Sequence, residues 1–433
     1  MGTANDKSEC NLNVILRKFL DGLKTSDMKK SKSEVTDIVK EIITRIETKD
    51  SRFKMGLEYR GSVYEKLKIN EADEFDFDLP ITQLTIDEAP KKRVPDVPSE
   101  YTFYTLRPAL QEAWKNLADP DGKHLSAERV VQAFSNLARQ TINDMNKEGK
   151  TGFETNHPAV TIICKKNGEK VYDIDLAPVI EVRKWPENLT LGWEKRTKKG
   201  WPSEELIKKI KETSSVYLVP KLYKQRFHGK RDYLWRYAFN KAEKKLLLDG
   251  DSSVDNNCRR PVLRILKGML HYMNWPGLRS YHMKTILLHE YETWGESDKW
   301  KLSELGARVR SATTRLSQCL SSQKPKLKHY FLSDINILDG INEEQRKQIL
   351  ESLKAFSNSP ETAVANLLTA QATSNEKKQV VDACKPYVSL LKGFMERVRA
   401  VAQEQNNEQI LDICREFEGG PMLAFEMKSS CKL

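Results

Sequence analysis

Leu12, Ile15, Leu16, Phe19, Leu20 and Leu23 recur at three- and four-residue intervals, as do Val35, Ile38, Val39, Ile42, Ile43 and Ile46. This spacing predicts two amphipathic helices at the start of the chain, the second long enough to serve as a spine across a domain. Ser31, followed three residues later by Glu34, reads as the capping box that opens the second helix. The period then drops to two. Glu74, Asp76 and Asp78 alternate with Phe75, Phe77 and Leu79, so on a strand the acids share one face and the apolar residues bury the other. Prolines 90, 95 and 98 around Lys91, Lys92 and Arg93 mark a loop or edge, and 109–145 reads mostly as helix. Two apolar runs, 159–164 and 171–176, flank Lys165-Lys166-Asn167-Gly168, whose Asn-Gly predicts a hairpin with Asp173 and Asp175 on one face of the return strand. Beyond Trp185-Pro186 the pattern is helical, with Trp193, Trp201, Trp235, Trp275, Trp294 and Trp300 as bulky core residues. Further helical stretches, 350–354, 363–370, 380–392 and 394–403, follow a break at Asp339-Gly340. The expected fold class is α+β: a mixed-sheet lobe with N-terminal spine helices over 1–185, a helical lobe over 186–339 and an additional helical module over 340–433.

Composition narrows the setting. With 433 residues, 39% apolar and 31% charged, the chain can bury two or three packed units. No run of about 18 uncharged apolar residues occurs, and the polar start lacks the apolar core of a signal peptide. Neither a membrane span nor secretion is expected, and a cytoplasmic location is, with the nucleus left open. Cys10, Cys164, Cys258, Cys319, Cys384, Cys414 and Cys431 are scattered without a C-x-x-C pair, which argues against a disulfide framework or zinc ribbon and for a reducing compartment. The net charge of +11 is concentrated: residues 195–231 carry Lys195, Arg196, Lys198, Lys199, Lys208, Lys209, Lys211, Lys221, Lys224, Arg226, Lys230 and Arg231 against Glu204, Glu205 and Glu212. Such clustering is the footprint expected of a phosphate-backbone partner, the alternative being a lysine-rich solvated surface.

A row of carboxylates on a strand anchored by aromatics is either the solvated face of a half-exposed strand or a cradle for divalent cations. Mg²⁺ prefers a few carboxylate oxygens plus the phosphates of its substrate. Gly61-Ser62, a short way upstream, is a turn that brings backbone N–H groups and a hydroxyl to a triphosphate. Acids from two strands supply the geometry of two-metal phosphoryl transfer. Glu74 and Asp76 are the expected bridging ligands, and Asp175 completes the site and helps accept the proton of the attacking hydroxyl. Asp78 and Asp173, on the same faces, are read as solvent or salt-bridge groups.

The run Gly61-Ser62-Val63-Tyr64-Glu65-Lys66-Leu67-Lys68-Ile69 through Glu74-Phe75-Asp76 resembles the signature of cyclic GMP-AMP synthase and its Mab-21-type, synthase-like receptor relatives. Downstream, Trp235 to Phe239 with Glu243-Lys244, Cys258-Arg259-Arg260 with Leu266-Lys267, and Ser280 to Thr285 with His289 resemble helical-lobe motifs of that family, in order, over residues 10–340. The resemblance implies a bilobal nucleotidyltransferase that makes a cyclic dinucleotide from ATP and/or GTP with Mg²⁺, or Mn²⁺ in its place. It assigns Glu74, Asp76 and Asp175 to metal, Gly61 and Ser62 to the triphosphate, and Tyr281 to stacking on a nucleobase. Ser280 and Lys267 match phosphate contacts, Arg236 a base contact and Glu243 a nearby pocket position.

One departure changes the expected activator. Where vertebrate synthases insert a His/Cys-rich zinc loop, residues 249–258 here offer Cys258 alone, and one cysteine cannot make a four-ligand site, so no zinc is expected. His271, His282 and His289 supply no replacement. Since that loop helps grasp DNA in the family, double-stranded RNA is favoured over DNA as activator, with assembly on the duplex left open. The rival readings are a catalytically silent Mab-21-like scaffold and a linear 2′-5′ oligonucleotide synthase. The final Cys431-Lys432-Leu433 loosely resembles a peroxisomal tripeptide, a destination not favoured here.

Overall fold

The computed structural model describes residues 4–23, 29–65, 67–69, 74–90, 94–147, 153–156, 160–166, 169–190, 192–196, 200–221, 231–249, 257–405 and 407–417. The chain forms two compact units, Met1–Glu361 and Thr362–Leu433.

Among the described residues, eight strands make one mixed sheet in the first unit: β1 (Glu58–Arg60), β2 (Glu74–Pro80), β3 (Tyr101–Phe103), β4 (Phe153–Asn156), β5 (Thr161–Lys166), β6 (Glu169–Val182), β7 (Val216–Val219) and β8 (Leu234–Ala238). Their order is β1-β2-β6-β7-β8-β3, with β5 paired to β6 and β4 to β5. The organising strand is β6, which pairs parallel with β2 and antiparallel with β5 and then β7. Ile174, Leu176, Val179, Ile180 and Val182 are buried along it, and on β2 the acid/apolar alternation puts Phe75, Phe77 and Leu79 in the core.

The helices are α1 (Ala4–Gly22), α2 (Lys29–Lys49), α3 (Gly61–Tyr64), α4 (Pro108–Trp114), α5 (Ala127–Lys147), α6 (Glu204–Thr213), α7 (Asn240–Leu248), α8 (Arg259–Tyr272), α9 (Ser280–Thr293), α10 (Leu305–Ser321), α11 (Glu343–Asn358), α12 (Pro360–Glu404) and α13 (Glu408–Phe417). The two N-terminal stripes fold as helices but part company. α2 packs on α5 beside the sheet, whereas α1 lies against α8 and α10 of the helical lobe. Gly268 on α8 makes that approach close: a Cβ there would meet Phe19 Cζ at 2.8 Å and Leu23 Cδ1 at 2.9 Å. Asn13 secures it by accepting from Gly306 N at 2.6 Å and donating to Ser303 O at 2.6 Å.

Several local expectations change. Ser31 lies inside α2 and not at its cap, and Ser31 and Glu34 instead accept from Tyr172 Oη, each at 3.3 Å. The stretch 109–145 is two helices, because Asp119-Pro120-Asp121-Gly122 breaks it: Pro120 lacks an N–H, Gly122 sits at φ +67°, and the Asp119 carboxylate captures Lys123 N and His124 N. β7 and β8 extend the sheet beyond residue 186, so the sheet lobe does not end at 185. At Asp339-Gly340 the chain turns but the first unit continues, since α11 packs on α10 and Trp275 Nε1 donates to Ser352 Oγ at 2.9 Å. The separate stretches expected over 363–403 form the single helix α12. The turn residues 167–168, Ala159, the loop 250–256, residues 197–199 and 222–230 of the basic stretch, and the final tripeptide lie outside the described residues. No helix among the described residues is long and apolar enough to cross a membrane.

Candidate active site

The parallel register of β2 and β6 sets Glu74 opposite Asp173 and Asp76 opposite Asp175. In-register residues on neighbouring parallel strands project to the same face, so the two acid rows predicted separately form one surface. The apolar residues between them anchor both strands in the core, which fixes this face without contributing to it.

The carboxylates are not equivalent. Glu74 is exposed at the start of β2 and faces Lys68 Nζ at 3.7 Å. Asp76 is half-buried and lies 3.5 Å from an Arg60 guanidinium nitrogen. Burial raises its carboxyl above the ordinary range; Arg60 opposes the rise, and Glu74, Asp175 and Asp78 add to it. Asp175 accepts from Thr161 Oγ1 at 2.6 Å, which fixes one of its oxygens. Asp78 is buried, with Oδ2 accepting from Asn240 Nδ2 at 2.8 Å and Oδ1 facing Arg60 Nε at 3.4 Å without a hydrogen bond. It serves as an interior anchor, tying β2 to α7. Asp173 pairs with Lys170 at 2.6 Å.

Gly61 brings the preceding turn onto this face. It sits at φ +81°, and a Cβ there would fall 2.0 Å from Asp76 Oδ2 and 2.9 Å from Asp76 Cγ. Only glycine meets both demands, positive φ and near-contact with a carboxylate. Ser62 follows within α3, and Glu65 caps that helix.

The helical lobe supplies the rest. Lys267 on α8 is buried; its ammonium, lowered to about 8 by burial, donates to Leu67 O at 2.7 Å. On α9, Ser280 is the exposed first residue and Tyr281 Oη donates to Glu243 Oε1 at 3.0 Å. Lys284, one turn further, reaches Glu65 Oε1 at 2.9 Å and Glu243 Oε2 at 3.4 Å. Burial alone would lower the Lys284 ammonium, but these two carboxylates carry it above the usual lysine value. Arg236 lies on β8 with its Nε buried and without a hydrogen bond. Glu65, Lys284, Asn240, Arg60 and His329 were missed by sequence reasoning. Lys284 had a legible signal, standing three residues from Tyr281 on one helix face, and Glu65 lies within the Gly61–Asp76 run; Arg60, Asn240 and His329 carry no spacing or composition cue.

Among the described residues, no group of three or more His, Cys, Asp and Glu side chains is gathered to hold a metal ion. The Cys258 thiol is buried and pushed up to about 12. Beside it the Arg259 guanidinium lies over Trp201, Tyr291 and Trp300, 5.5, 4.9 and 5.7 Å from their ring centroids. Stacking of a cation on aromatic faces thus packs the start of α8.

Residues 63–249 match the Mab-21 protein nucleotidyltransferase domain, and residues 258–355 the Mab-21 protein HhH/H2TH-like domain. The chain is 25% identical over 413 residues to the cyclic GMP-AMP synthase-like receptor of Aethina tumida, covering 88% of this chain and 94% of that protein. It is 27% identical over 310 residues to cyclic GMP-AMP synthase-like receptor 3 of Stylophora pistillata, covering 70% and 81%. Against the cyclic GMP-AMP synthase of Mus musculus the identity is 26% over 345 residues, covering 74% of this chain and 64% of the mouse protein. With both domains matched in succession over the mixed sheet and the helical lobe just described, the chain belongs to the Mab-21 family of nucleotidyltransferases.

Proposed function

We propose that this chain joins two nucleoside triphosphates, ATP and/or GTP, and closes the linear product into a cyclic dinucleotide messenger of innate immune signalling, in response to double-stranded nucleic acid. The observation that carries this reading is the register of Asp76 against Asp175, with Glu74 at the open end of the same face and Gly61 pressed onto Asp76. A scaffold has no use for a glycine held at positive φ against a carboxylate.

The donor set fits a hard divalent cation, Mg²⁺ or Mn²⁺. Burial raises the Asp76 carboxyl, Arg60 opposes the rise and Glu74, Asp175 and Asp78 add to it, so carboxylates of both strands bear on one point of this face. A preformed cage is not required, because Mg²⁺ is commonly held by one or two carboxylates together with substrate phosphates. Glu74, Asp76 and Asp175 would hold it, and when bound it supplies charge neutralisation of the transferring phosphoryl group. The chain's own residues do the remainder. Gly61 and Ser62 orient the triphosphate. Asp175, with one oxygen fixed by Thr161, keeps the other for the proton of the attacking hydroxyl. Tyr281 stacks on a base, Arg236 reads its edge, and Ser280 and Lys267 grip phosphate. Glu243 supports the pocket by accepting from Tyr281 and Lys284.

RNA is the favoured duplex, since a lysine-rich surface without a zinc loop suits recognition by shape and backbone charge. Duplex binding shifts the population toward the state in which the Gly61-Ser62 turn and the carboxylates are aligned. Purified protein incubated with ATP, GTP and Mg²⁺, with and without duplex RNA or DNA, tests the reading. Pyrophosphate release and a cyclic product in mass spectrometry with linkage mapping are expected, both lost in Glu74→Gln and Asp76→Asn. Absence of either signal with every duplex would sink the proposal, and a linear 2′-5′ product after nuclease P1 and phosphatase treatment would replace cyclisation by oligomer synthesis.

A further inference from the structure

A continuous run of polar side chains lies behind the helical-lobe side of the site, and its direction follows atom by atom. His329 Nδ1 lies 3.2 Å from Phe331 N and 3.1 Å from Leu332 N, so it accepts from two backbone N–H groups and carries no hydrogen. The imidazole hydrogen therefore sits on Nε2, 2.8 Å from Tyr281 Oη. Having accepted from His329, Tyr281 directs its own hydrogen to Glu243 Oε1 at 3.0 Å. Glu243 Oε2 then takes Lys284, whose nearer partner is Glu65 at the end of the Gly61-Ser62 turn. His329, Glu243 and Glu65 are all buried, so water does not offer Tyr281 an easy substitute partner. The ring is walled by Phe239 and Phe331, at centroid distances of 5.7 and 6.3 Å. Burial, with Arg236 nearby, lowers the imidazole to about 3, in keeping with a neutral ring.

We infer that His329 is a positioning residue for nucleotide binding: as a fixed Nε2–H donor it holds the Tyr281 hydroxyl toward Glu243, and through Glu243 and Lys284 it ties the base-stacking ring to the turn that takes the triphosphate. The inference rests on the nucleotide site proposed above. The opposite tautomer would set an N–H against two backbone donors and forfeit both hydrogen bonds, so the direction of the chain is built into the fold.

Equilibrium dialysis of labelled ATP with Mg²⁺ against wild type, His329→Phe, His329→Gln, Tyr281→Phe and the His329→Phe/Tyr281→Phe double variant tests this, with thermal melting as the control for folding. His329→Phe should weaken ATP binding about tenfold, the loss falling on KM more than on kcat. His329→Gln, whose amide N–H can donate to Tyr281, should stay within about threefold of wild type. The double variant should bind no worse than the weaker single one, because both remove the same link. ATP binding unchanged in His329→Phe, or additive losses in the double variant, overturns the inference while leaving the nucleotide site standing. Failure of the wild type to bind ATP both with and without duplex RNA or DNA overturns both. If His329→Phe does not fold, the imidazole ¹⁵N shifts of the wild type decide: the Nε2–H tautomer at neutral pH supports the inference, and the Nδ1–H tautomer or an imidazolium overturns it.

Discussion

Gly61→Ala is the sharpest perturbation of the proposed site, and its cost can be worked from two separate terms. An L-residue at positive φ costs roughly 1–2 kcal/mol. The added methyl would stand 2.0 Å from Asp76 Oδ2, so reaching an ordinary contact of about 3.4 Å moves the carboxylate by more than 1 Å. Rotation of Asp76 relieves only part of the overlap, since its Cβ is also just 3.2 Å away. Overpacking of this kind adds about 1–3 kcal/mol. For a unit of 361 residues, an unfolding entropy of about 2.1 cal/mol/K per residue turns a total of about 2–5 kcal/mol into a Tm lower by about 3–7 °C. Activity should suffer more than stability, because a displacement of about 1 Å at a reacting group can cost about 10²-fold. Gly122→Ala is the matched control: Gly122 also has positive φ, +67°, but a Cβ there meets nothing within 4 Å. It should lower Tm by only about 1–3 °C and leave turnover unchanged. Differential scanning fluorimetry and pyrophosphate release on the two variants read both terms, and a Gly61→Ala protein indistinguishable from Gly122→Ala would refute the steric argument.

Three further outcomes are expected. Lys284→Met should destabilise the first unit by about 3–5 kcal/mol, since it leaves Glu65 and Glu243 buried without their shared cation; Glu65→Gln added to it should recover part of the loss in urea unfolding. Lys267, held near 8 in the fold against about 10.4 unfolded, gives a pH signature. Between these values the unfolded chain binds the extra proton, so this group's contribution to stability rises with pH, by on the order of 3 kcal/mol in all. Lys267→Met should flatten the dependence between pH 8 and 10 relative to wild type, and parallel wild-type and variant curves would contradict the assignment. At the α1–α8 crossing, Gly268→Ala should cost about 1–3 kcal/mol by overpacking against Phe19 and Leu23. Phe19→Leu should partly suppress it in the double variant, and independent losses would show that the two positions do not meet.

Periodicity alone determined a good deal here. The two N-terminal helices, the acidic strand with its apolar reverse, and the hairpin strand ending in Asp173 and Asp175 were legible, because burial on one face imposes a period of 3.6 or 2 on the sequence. The motif from Gly61 to Asp76 likewise carried the family. Other features depended on partners far away in the chain. Nothing in β7 or β8 says that these short strands continue the sheet, since four or five residues, all apolar in β7 and interrupted by Arg236 in β8, fit a helix as well as a strand. The stripe on α1 is apolar whichever lobe it meets, and only the close approach at Gly268 settles that it docks on the helical lobe. Among the acids, sequence placed Asp76 and Asp78 on one face and ranked Asp76 first without a physical reason; the fold gives the reason, burying Asp78 against Asn240 and Arg60 while leaving Glu74 at the open end. His329, a lone histidine with no motif around it, gains its role from two backbone N–H groups that fix its tautomer and from a tyrosine 48 positions earlier. Sequence periodicity records which face is buried; which atoms meet across that face is decided by the register and packing of distant segments.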